Sequence, residues 1–199
     1  TYIKFNRFFL HNLECILYFN YNFKKMKKIF LIFASILFLG CTNTTGLVVN
    51  IDDDKSNSIR QHYENYLNND VEGLKSLWSP DLQVFLNSVD AISLDELVGL
   101  LEAQHSTYSI SMQWGTDEDT SYWVETTDYP GADSYNPATV TQTWFNWIAT
   151  SKLTGETITM PAHISFFWGE DGKIAAEYHM YDTGAMVAGI EAAQAAASE

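Results

Sequence analysis

The first part of the domain has apolar side chains at helical spacing, and the later part has them at every second position. Residues Asn57 to Leu67 and Val71 to Trp78 carry apolar positions three and four residues apart, which predicts two helices. A short strand from Asp81 to Asn87 is predicted next. Ser93, with Glu96 three residues later, has the spacing of a capping box and predicts the start of a third helix.

Beyond the third helix the pattern changes to a period of two. From Thr107 to Trp114 polar and apolar residues alternate, as in a strand with one buried face. An Ala-rich helix is predicted at the end, from Gly184 to Ala197. Helices followed by an antiparallel sheet predict a single α+β domain. The remaining predicted strands are Tyr122–Thr127, Thr139–Ser151, Thr157–Trp168 and Lys173–Tyr181.

Met26 begins a stretch with the parts of a bacterial lipoprotein signal peptide. Two lysines follow it, and Ile29 to Leu39 is a mainly apolar run of 11 residues, too short to span a bilayer. Gly40 and Cys41 then resemble the end of a lipobox. The resemblance implies cleavage before Cys41 and acylation of that cysteine; an ordinary signal peptide or an uncleaved anchor is the alternative. We expect a lipid-anchored protein of the bacterial cell envelope, and Thr42, in place of the Asp of inner-membrane retention, favours the outer membrane.

The chain is therefore divided into four parts. Residues 1–25 are interpreted as upstream translation and residues 26–40 as the signal peptide. Residues 41–54 are interpreted as an acidic tether and residues 55–199 as the folded domain.

Charge and cysteine content limit the partners of the mature chain. Residues 41–199 contain 5 basic and 24 acidic side chains, a net charge of −19 with His neutral. Nucleic acid and anionic lipid surfaces need basic patches, so neither is an expected partner. Cys15 lies ahead of the signal peptide, so Cys41 has no partner for a disulfide within the mature monomer.

The order of elements and two sequence stretches resemble the NTF2-like superfamily, and most closely its SnoaL-like branch. The first stretch is Asn69–Leu74 before Leu77–Asp81, and the second runs from Asp171 to Asp182. The resemblance covers nearly all of residues 55–195. It implies a cone, in which a strongly curved antiparallel sheet wraps around N-terminal helices and encloses a pocket, often in a dimer. The superfamily includes polyketide cyclases, ketosteroid isomerases, epoxide hydrolases and members without catalysis, so the fold does not name a reaction.

The last hairpin decides which side chains face the pocket. A three-residue loop, Glu170 to Gly172, would pair Gly169 with Lys173 and place Gly172 in the left-handed region. His163 would then stand opposite His179, and Ser165 opposite Glu177. One face of the hairpin would be apolar, and the resemblance implies that the other face points into the cone. The residues of that other face are His163, Ser165, Glu177, His179 and Tyr181.

Two histidines are the candidate catalytic residues. The resemblance places His179 where related cyclases and epoxide hydrolases have a catalytic Asp, and an imidazole there can still transfer protons near neutral pH. His163 is the second candidate. The alternative is that both histidines lie on the outer face of the sheet, in solvent or in a dimer interface. His62 and His105 lie on predicted helices and are expected at the surface.

Aromatic residues are expected to form the wall of the pocket. Phe85 and Asn87 match a Tyr-x-Asn stretch of the epoxide hydrolases without the Tyr hydroxyl, and Phe145 and Trp147 stand where those enzymes carry an Arg-x-Asp pair. Such a wall suits a flat apolar ligand. The predicted ligand-binding residues are Phe85, Asn87, Phe145, Trp147, Ser165, Glu177 and Tyr181.

Two functions are compatible with this sequence. The favoured one is a domain that binds a small apolar molecule, or an accessory domain of the envelope, without catalysis. The alternative is a cofactor-free isomerase or cyclase that uses His179 as general acid or base. No metal site and no cofactor are predicted, and a homodimer is an option that the resemblance raises.

Overall fold

The computed structural model describes residues 47–115 and 121–197. The predicted upstream segment, the signal peptide and Cys41 lie outside the described residues. None of the described helices combines the length and the apolar character that a bilayer crossing requires.

Four helices are present in the described ranges. They are α1 (Asp54–Leu67), α2 (Val71–Lys75), α3 (Leu94–Thr107) and α4 (Gly184–Ala196). Helix α1 begins three residues before its predicted start, because the Asp53 side chain accepts a hydrogen bond from the Ser56 amide at 2.9 Å and caps the helix. The predicted capping box of α3 is confirmed, with Ser93 and Glu96 bonded reciprocally.

Seven strands form one curved, open sheet. They are β1 (Val49–Asn50), β2 (Trp78–Leu86), β3 (Tyr108–Gln113), β4 (Trp123–Tyr129), β5 (Ala138–Ser151), β6 (Thr157–Trp168) and β7 (Ile174–Met180). Their order is β1-β4-β5-β6-β7-β2, and β3 pairs with the second half of β5. The predicted α+β fold is confirmed.

One pairing differs from the antiparallel sheet that we expected. Strand β2 pairs with β7 in parallel, with Val84 beside Glu177 and Leu86 beside His179. The two strands are far apart in sequence, so no hairpin fixes their relative direction. Strand β1 and the Asp53 cap also show that the end of the predicted tether, residues 49–53, belongs to the fold.

The core lies between the inner face of the sheet and the helices. Along β5 every second residue is buried, namely Thr141, Thr143, Phe145, Trp147 and Ala149. Tyr63 of α1 packs on this face, and its hydroxyl lies 2.6 Å from the Thr143 hydroxyl. The helices therefore cover the concave side of the sheet, and the cavity of the molecule forms there.

The β6–β7 hairpin has the predicted loop but not the predicted register. Gly172 has φ +76°, and the Gly169 amide donates to the Lys173 carbonyl at 2.8 Å, both as expected. Trp168 pairs with Ile174, however, while Phe167 pairs with Ala176, so Ala175 is an extra residue in a β-bulge. The bulge shifts the register by one beyond it. His179 therefore lies opposite Ile164 instead of His163, and Glu177 lies opposite Phe166 instead of Ser165.

Candidate functional site

The concave side of the sheet encloses a cavity of about 240 Å³. Its walls are mostly apolar and include seven Phe, Tyr or Trp side chains: Tyr63, Tyr66, Trp78, Phe145, Trp147, Phe166 and Tyr181. The part of the wall formed by the buried residues His62, Trp78 and Glu177 is called the deep end here. Its mouth lies where the lining residues are partly exposed, as Leu86, Thr183 and Val187 are.

A carboxylate and an imidazole form a hydrogen-bonded pair at the deep end. Strand β7 carries Glu177, which is 2% exposed, and His179, which is 8% exposed. One carboxylate oxygen of Glu177 lies 2.7 Å from Nε2 of His179. The other accepts a hydrogen bond from the indole Nε1 of Trp78 at 2.5 Å. Both oxygens are thus partnered, which is the condition under which a buried charge is tolerated.

The environment of Glu177 keeps it ionised. Burial by itself would raise the pKa of this carboxyl group, but the hydrogen bond and charge of His179, helped by His62 and Trp78, outweigh burial and lower the pKa. An ionised carboxylate can only accept hydrogen bonds, so Nε2 of His179 carries the hydrogen of the 2.7 Å bond. When the ring is neutral, its Nδ1 is then an acceptor.

Tyr181 completes the group. Its hydroxyl oxygen lies 3.3 Å from Nδ1 of His179. Burial, and then the charge of Glu177, raise the pKa of Tyr181 to about 12, so the hydroxyl keeps its hydrogen at neutral pH and can donate it to Nδ1. The carboxylate of Glu177, the imidazole of His179 and the phenol of Tyr181 thus form a hydrogen-bonded row. A proton can move along this row between the cavity and His179.

His62 is a member of this site that the sequence analysis misplaced. It is 5% exposed instead of lying at the surface, its ring meets Trp78 edge-on at 5.1 Å, and its Nδ1 has no hydrogen-bond partner among the described residues. Burial lowers the pKa of His62 to about 4, against the opposing charge of Glu177, so the ring is neutral near pH 7. The spacing of apolar residues could have predicted this burial, because His62 follows Ile59 by three residues on the same face of α1.

The expectation for the other helical histidine was also wrong in part. His105 is half-buried, and its ring contacts Tyr66 at 5.0 Å. Burial lowers the pKa of His105.

A second polar chain crosses the cavity wall. The indole nitrogen of Trp147 donates to the Tyr66 hydroxyl at 2.9 Å, and Tyr66 donates to the side-chain oxygen of Gln104 at 2.7 Å. The amide nitrogen of Gln104 in turn lies 3.3 Å from the sulfur of Met186. Gln104 is on α3 and was not singled out from the sequence, since one Gln within a helix gives no signal of burial.

The bulge moves two predicted site residues to the outer face of the sheet. His163 does not line the cavity; its ring stacks on Trp144 at 4.7 Å, and its Nδ1 lies 2.9 Å from the Thr143 carbonyl oxygen. The Ser165 hydroxyl lies 3.2 Å from Nε2 of His163. The prediction that these two residues share a face with Glu177 and His179 is therefore wrong, because Ala175 adds one residue between the faces.

Strand β2 also places its predicted residues outside the cavity. Phe85 stacks on Tyr178 of the outer face, with ring centroids 4.5 Å apart. Asn87 has a left-handed backbone (φ 48°), and its amide oxygen accepts from the Tyr181 backbone N–H at 3.1 Å, while its amide nitrogen donates to the Tyr181 carbonyl. Asn87 thus fixes the backbone of Tyr181 and does not line the cavity.

Five of the predicted site residues do line the cavity. They are Phe145, Trp147, Glu177, His179 and Tyr181. Across the two described ranges, no three His, Cys, Asp or Glu side chains are grouped as a metal ion would require. Independence from metal and cofactor stays a prediction.

Solved structures share this fold at low sequence identity. AclR, a proposed hydroxylase from Streptomyces galilaeus, matches with a TM-score of 0.51 and 12% identity, over 69% of this chain and 96% of AclR. IdmH, a proposed polyketide cyclase from Streptomyces antibioticus, has a TM-score of 0.48 and 15% identity over 70% of this chain and 99% of its own. An NTF2-like protein of unknown function from Burkholderia pseudomallei has a TM-score of 0.45 and 12% identity, covering 70% and 98%. No protein-family model and no curated protein matches the chain.

Proposed function

We propose that this domain, an α+β cone with the NTF2-like fold, binds a small apolar molecule in its internal cavity. The observation that carries the proposal is the composition of the cavity wall. Aromatic and aliphatic side chains surround about 240 Å³, and most of the polar groups belong to two hydrogen-bonded chains. Ligand sites in proteins typically combine an apolar wall with a small number of placed polar groups.

Filling the cavity tests this proposal. Ala162 is buried on β6 and lines the cavity, so a leucine there would occupy space that a ligand needs. Nile red, an uncharged fluorophore, is a suitable probe, and the matched control is Ala132→Leu in an exposed loop. We expect Ala162→Leu to weaken Nile red binding at least tenfold and Ala132→Leu to leave it unchanged. Equal binding by both variants would mean that the probe lies elsewhere, and the proposal would fail.

A second candidate function is catalysis without a cofactor, and the Glu177–His179–Tyr181 group favours it. Isomerisation and cyclisation need a proton acceptor and a proton donor in a water-poor site. In this alternative His179 takes a proton from the substrate while Glu177 stabilises the imidazolium that results. Tyr181, protonated at neutral pH, can donate to an oxygen of the substrate.

Substitution at His179 separates the two functions. If the protein is an enzyme, His179→Ala should abolish turnover of a substrate found by screening ketones and esters that bind the wild type. If it only binds, the same variant should keep ligand affinity within a few fold. Tyr181→Phe, which removes only the hydroxyl, should lower the maximal rate without a comparable change in affinity under the enzyme hypothesis.

We also propose that the domain is held at the bacterial cell envelope by lipid on Cys41, in the outer membrane. The support is the sequence from Met26 to Cys41, with its lysines, its apolar run and its final Gly-Cys. Metabolic labelling with an alkyne fatty acid should mark the wild type and not Cys41→Ser. Labelling of both would place the lipid on another residue.

A further inference from the structure

The hydrogen bonds of the second polar chain all run in one direction, from Trp147 to Tyr66 and from Tyr66 to Gln104. The indole of Trp147 can only donate, so the Tyr66 oxygen is its acceptor at 2.9 Å. The Tyr66 hydroxyl donates its own hydrogen to Gln104, whose side-chain oxygen lies 2.7 Å away. The group of Gln104 that faces Tyr66 is therefore its oxygen, which leaves the amide nitrogen facing Met186 and the cavity.

The amide nitrogen of Gln104 has more donor capacity than it uses. It carries two hydrogens, and its partner among the described residues is the Met186 sulfur at 3.3 Å. A thioether is a weak acceptor, and Gln104 is 7% exposed, so water at the surface cannot supply the missing bond. A buried donor without a good acceptor is unfavourable, and an oxygen atom in the cavity would correct this.

The charges around the cavity restrict what can carry that oxygen. None of the described residues that line the cavity is Lys or Arg. Its ionised carboxylate, Glu177, is already partnered by Trp78 and His179, and the His62 ring is neutral near pH 7. An anionic ligand would be buried without a counter-ion, at a high cost.

We propose that Gln104 is a ligand-binding residue, and that the cavity takes uncharged molecules with an oxygen acceptor placed to receive the Gln104 amide. Ketones, esters, ethers and alcohols belong to this class, and free carboxylic acids and phosphates do not. This inference rests on the proposed binding function and adds the contact and the ligand class.

Three aromatic probes of nearly the same shape test it by titration calorimetry on the purified protein. They are 2-acetylnaphthalene, 2-isopropenylnaphthalene, which has CH₂ in place of the oxygen, and 2-naphthoate, which is an anion. We expect the ketone to bind about three- to tenfold more tightly than the isopropenyl probe, the range of one neutral hydrogen bond. We expect 2-naphthoate to bind at least tenfold more weakly than the ketone.

Two variants at Gln104 assign the preference to this residue. Gln104→Glu keeps an acceptor for Tyr66 and removes the donor, and Gln104→Met removes both while keeping the side-chain length. Either variant that folds, as judged by circular dichroism, should lose the preference for the ketone. The control is Gln83→Met, at an exposed position of β2 that does not line the cavity, and this variant should retain the preference.

The outcomes are distinct from one another. If Tyr181→Phe removes the preference and the Gln104 variants keep it, the oxygen binds at the His179 end and the inference is overturned while binding stands. Equal affinity for 2-naphthoate and the ketone overturns the restriction to uncharged ligands. If Nile red binds and Ala162→Leu weakens it while the ketone shows no preference, the inference alone fails. If neither Nile red nor any of the three probes binds, the proposed function fails with it.

Discussion

The two faces of the β6–β7 hairpin each carry a histidine, and the two side chains have different surroundings. On the inner face, His179 is 8% exposed and hydrogen-bonded to the buried carboxylate of Glu177 at 2.7 Å. On the outer face, His163 is half-buried, stacks on Trp144 and contacts a backbone carbonyl. The same residue type on neighbouring strands thus belongs to a potential proton-transfer group in one case and to an aromatic surface in the other.

The comparison shows that the buried face of β7 is not the face that carries its larger apolar side chains. A regular hairpin would bury Ala176, Tyr178 and Met180 beside Ile174. The bulge instead turns Glu177 and His179 inward and leaves Tyr178 37% and Met180 58% exposed. Burying an acid in place of two apolar side chains is unfavourable unless the acid finds partners. Trp78 from β2 supplies a partner that the hairpin alone cannot.

The largest expected effect comes from removing the inner carboxylate. Glu177→Ala would leave the Trp78 indole and the His179 ring without their acceptor in an apolar cavity. We expect a loss of about 3–5 kcal/mol in the free energy of unfolding, measured in urea, since this is the usual result of breaking a buried pair. The matched control, Glu170→Ala in the exposed loop of the same hairpin, should stay within about 0.5 kcal/mol of the wild type. Similar losses in both variants would contradict the importance of the inner pair.

The next effect is a dependence of stability on pH that His62 creates. Its pKa is about 4 in the folded state and 6.5 as its ordinary value, so below pH 6.5 the unfolded chain binds a proton that the folded protein does not. Stability should therefore fall by roughly 3 kcal/mol between pH 6.5 and pH 4 on account of this residue. Glu177, whose pKa is lowered, loses its stabilising effect on acidification as well, so the sign is the same.

Urea unfolding across this pH range in His62→Phe isolates the contribution of the histidine. The variant should have a flatter curve than the wild type between pH 6.5 and pH 4. Gln61→Leu, at the exposed neighbouring position, should reproduce the wild-type curve. A wild-type slope in His62→Phe would show that the ring is not buried as described.

A smaller effect is expected when both members of the inner pair become apolar together. Glu177→Met with His179→Phe keeps similar volumes and removes the hydrogen-bond partners of two neutral groups, the Trp78 indole and the Tyr181 hydroxyl. Such replacements of buried ion pairs are often close to neutral. The double variant should be about 2 kcal/mol more stable than Glu177→Ala, by the same urea measurement. If the double variant is instead less stable than Glu177→Ala, the attraction between Glu177 and His179 exceeds the free-energy cost of burying the two groups.

The smallest effect is expected on the outer face. His163→Ala removes the stacking on Trp144 and two hydrogen bonds at a half-exposed position. We expect a loss of about 1 kcal/mol in the free energy of unfolding and no change in ligand affinity. Loss of ligand binding in this variant would contradict the separation of the two faces.

The sequence by itself determined the local features. Ser93 with Glu96 fixed the start of α3 through a capping box, and Gly172 fixed the loop of the last hairpin through its positive φ. The alternation from Thr107 to Trp114 predicted β3, which runs from Tyr108 to Gln113. Each of these depends on interactions within a few residues or within one strand, so the order of elements and the α+β class could be predicted.

Only the tertiary structure decided which polar groups meet. The bulge at Ala175 and the parallel pairing of β2 with β7 bring Trp78 to Glu177, a contact between residues 99 positions apart. His62 is likewise buried against Trp78 and Phe166 of the sheet, and Gln104 is buried beside Met186 of α4. A register shift of one residue exchanges the two faces of a strand, and no local pattern in β7 encodes that shift. The candidate site therefore depends on contacts between residues that are distant in sequence. The helices, strands and turns that hold it depend mainly on residues that are close in sequence.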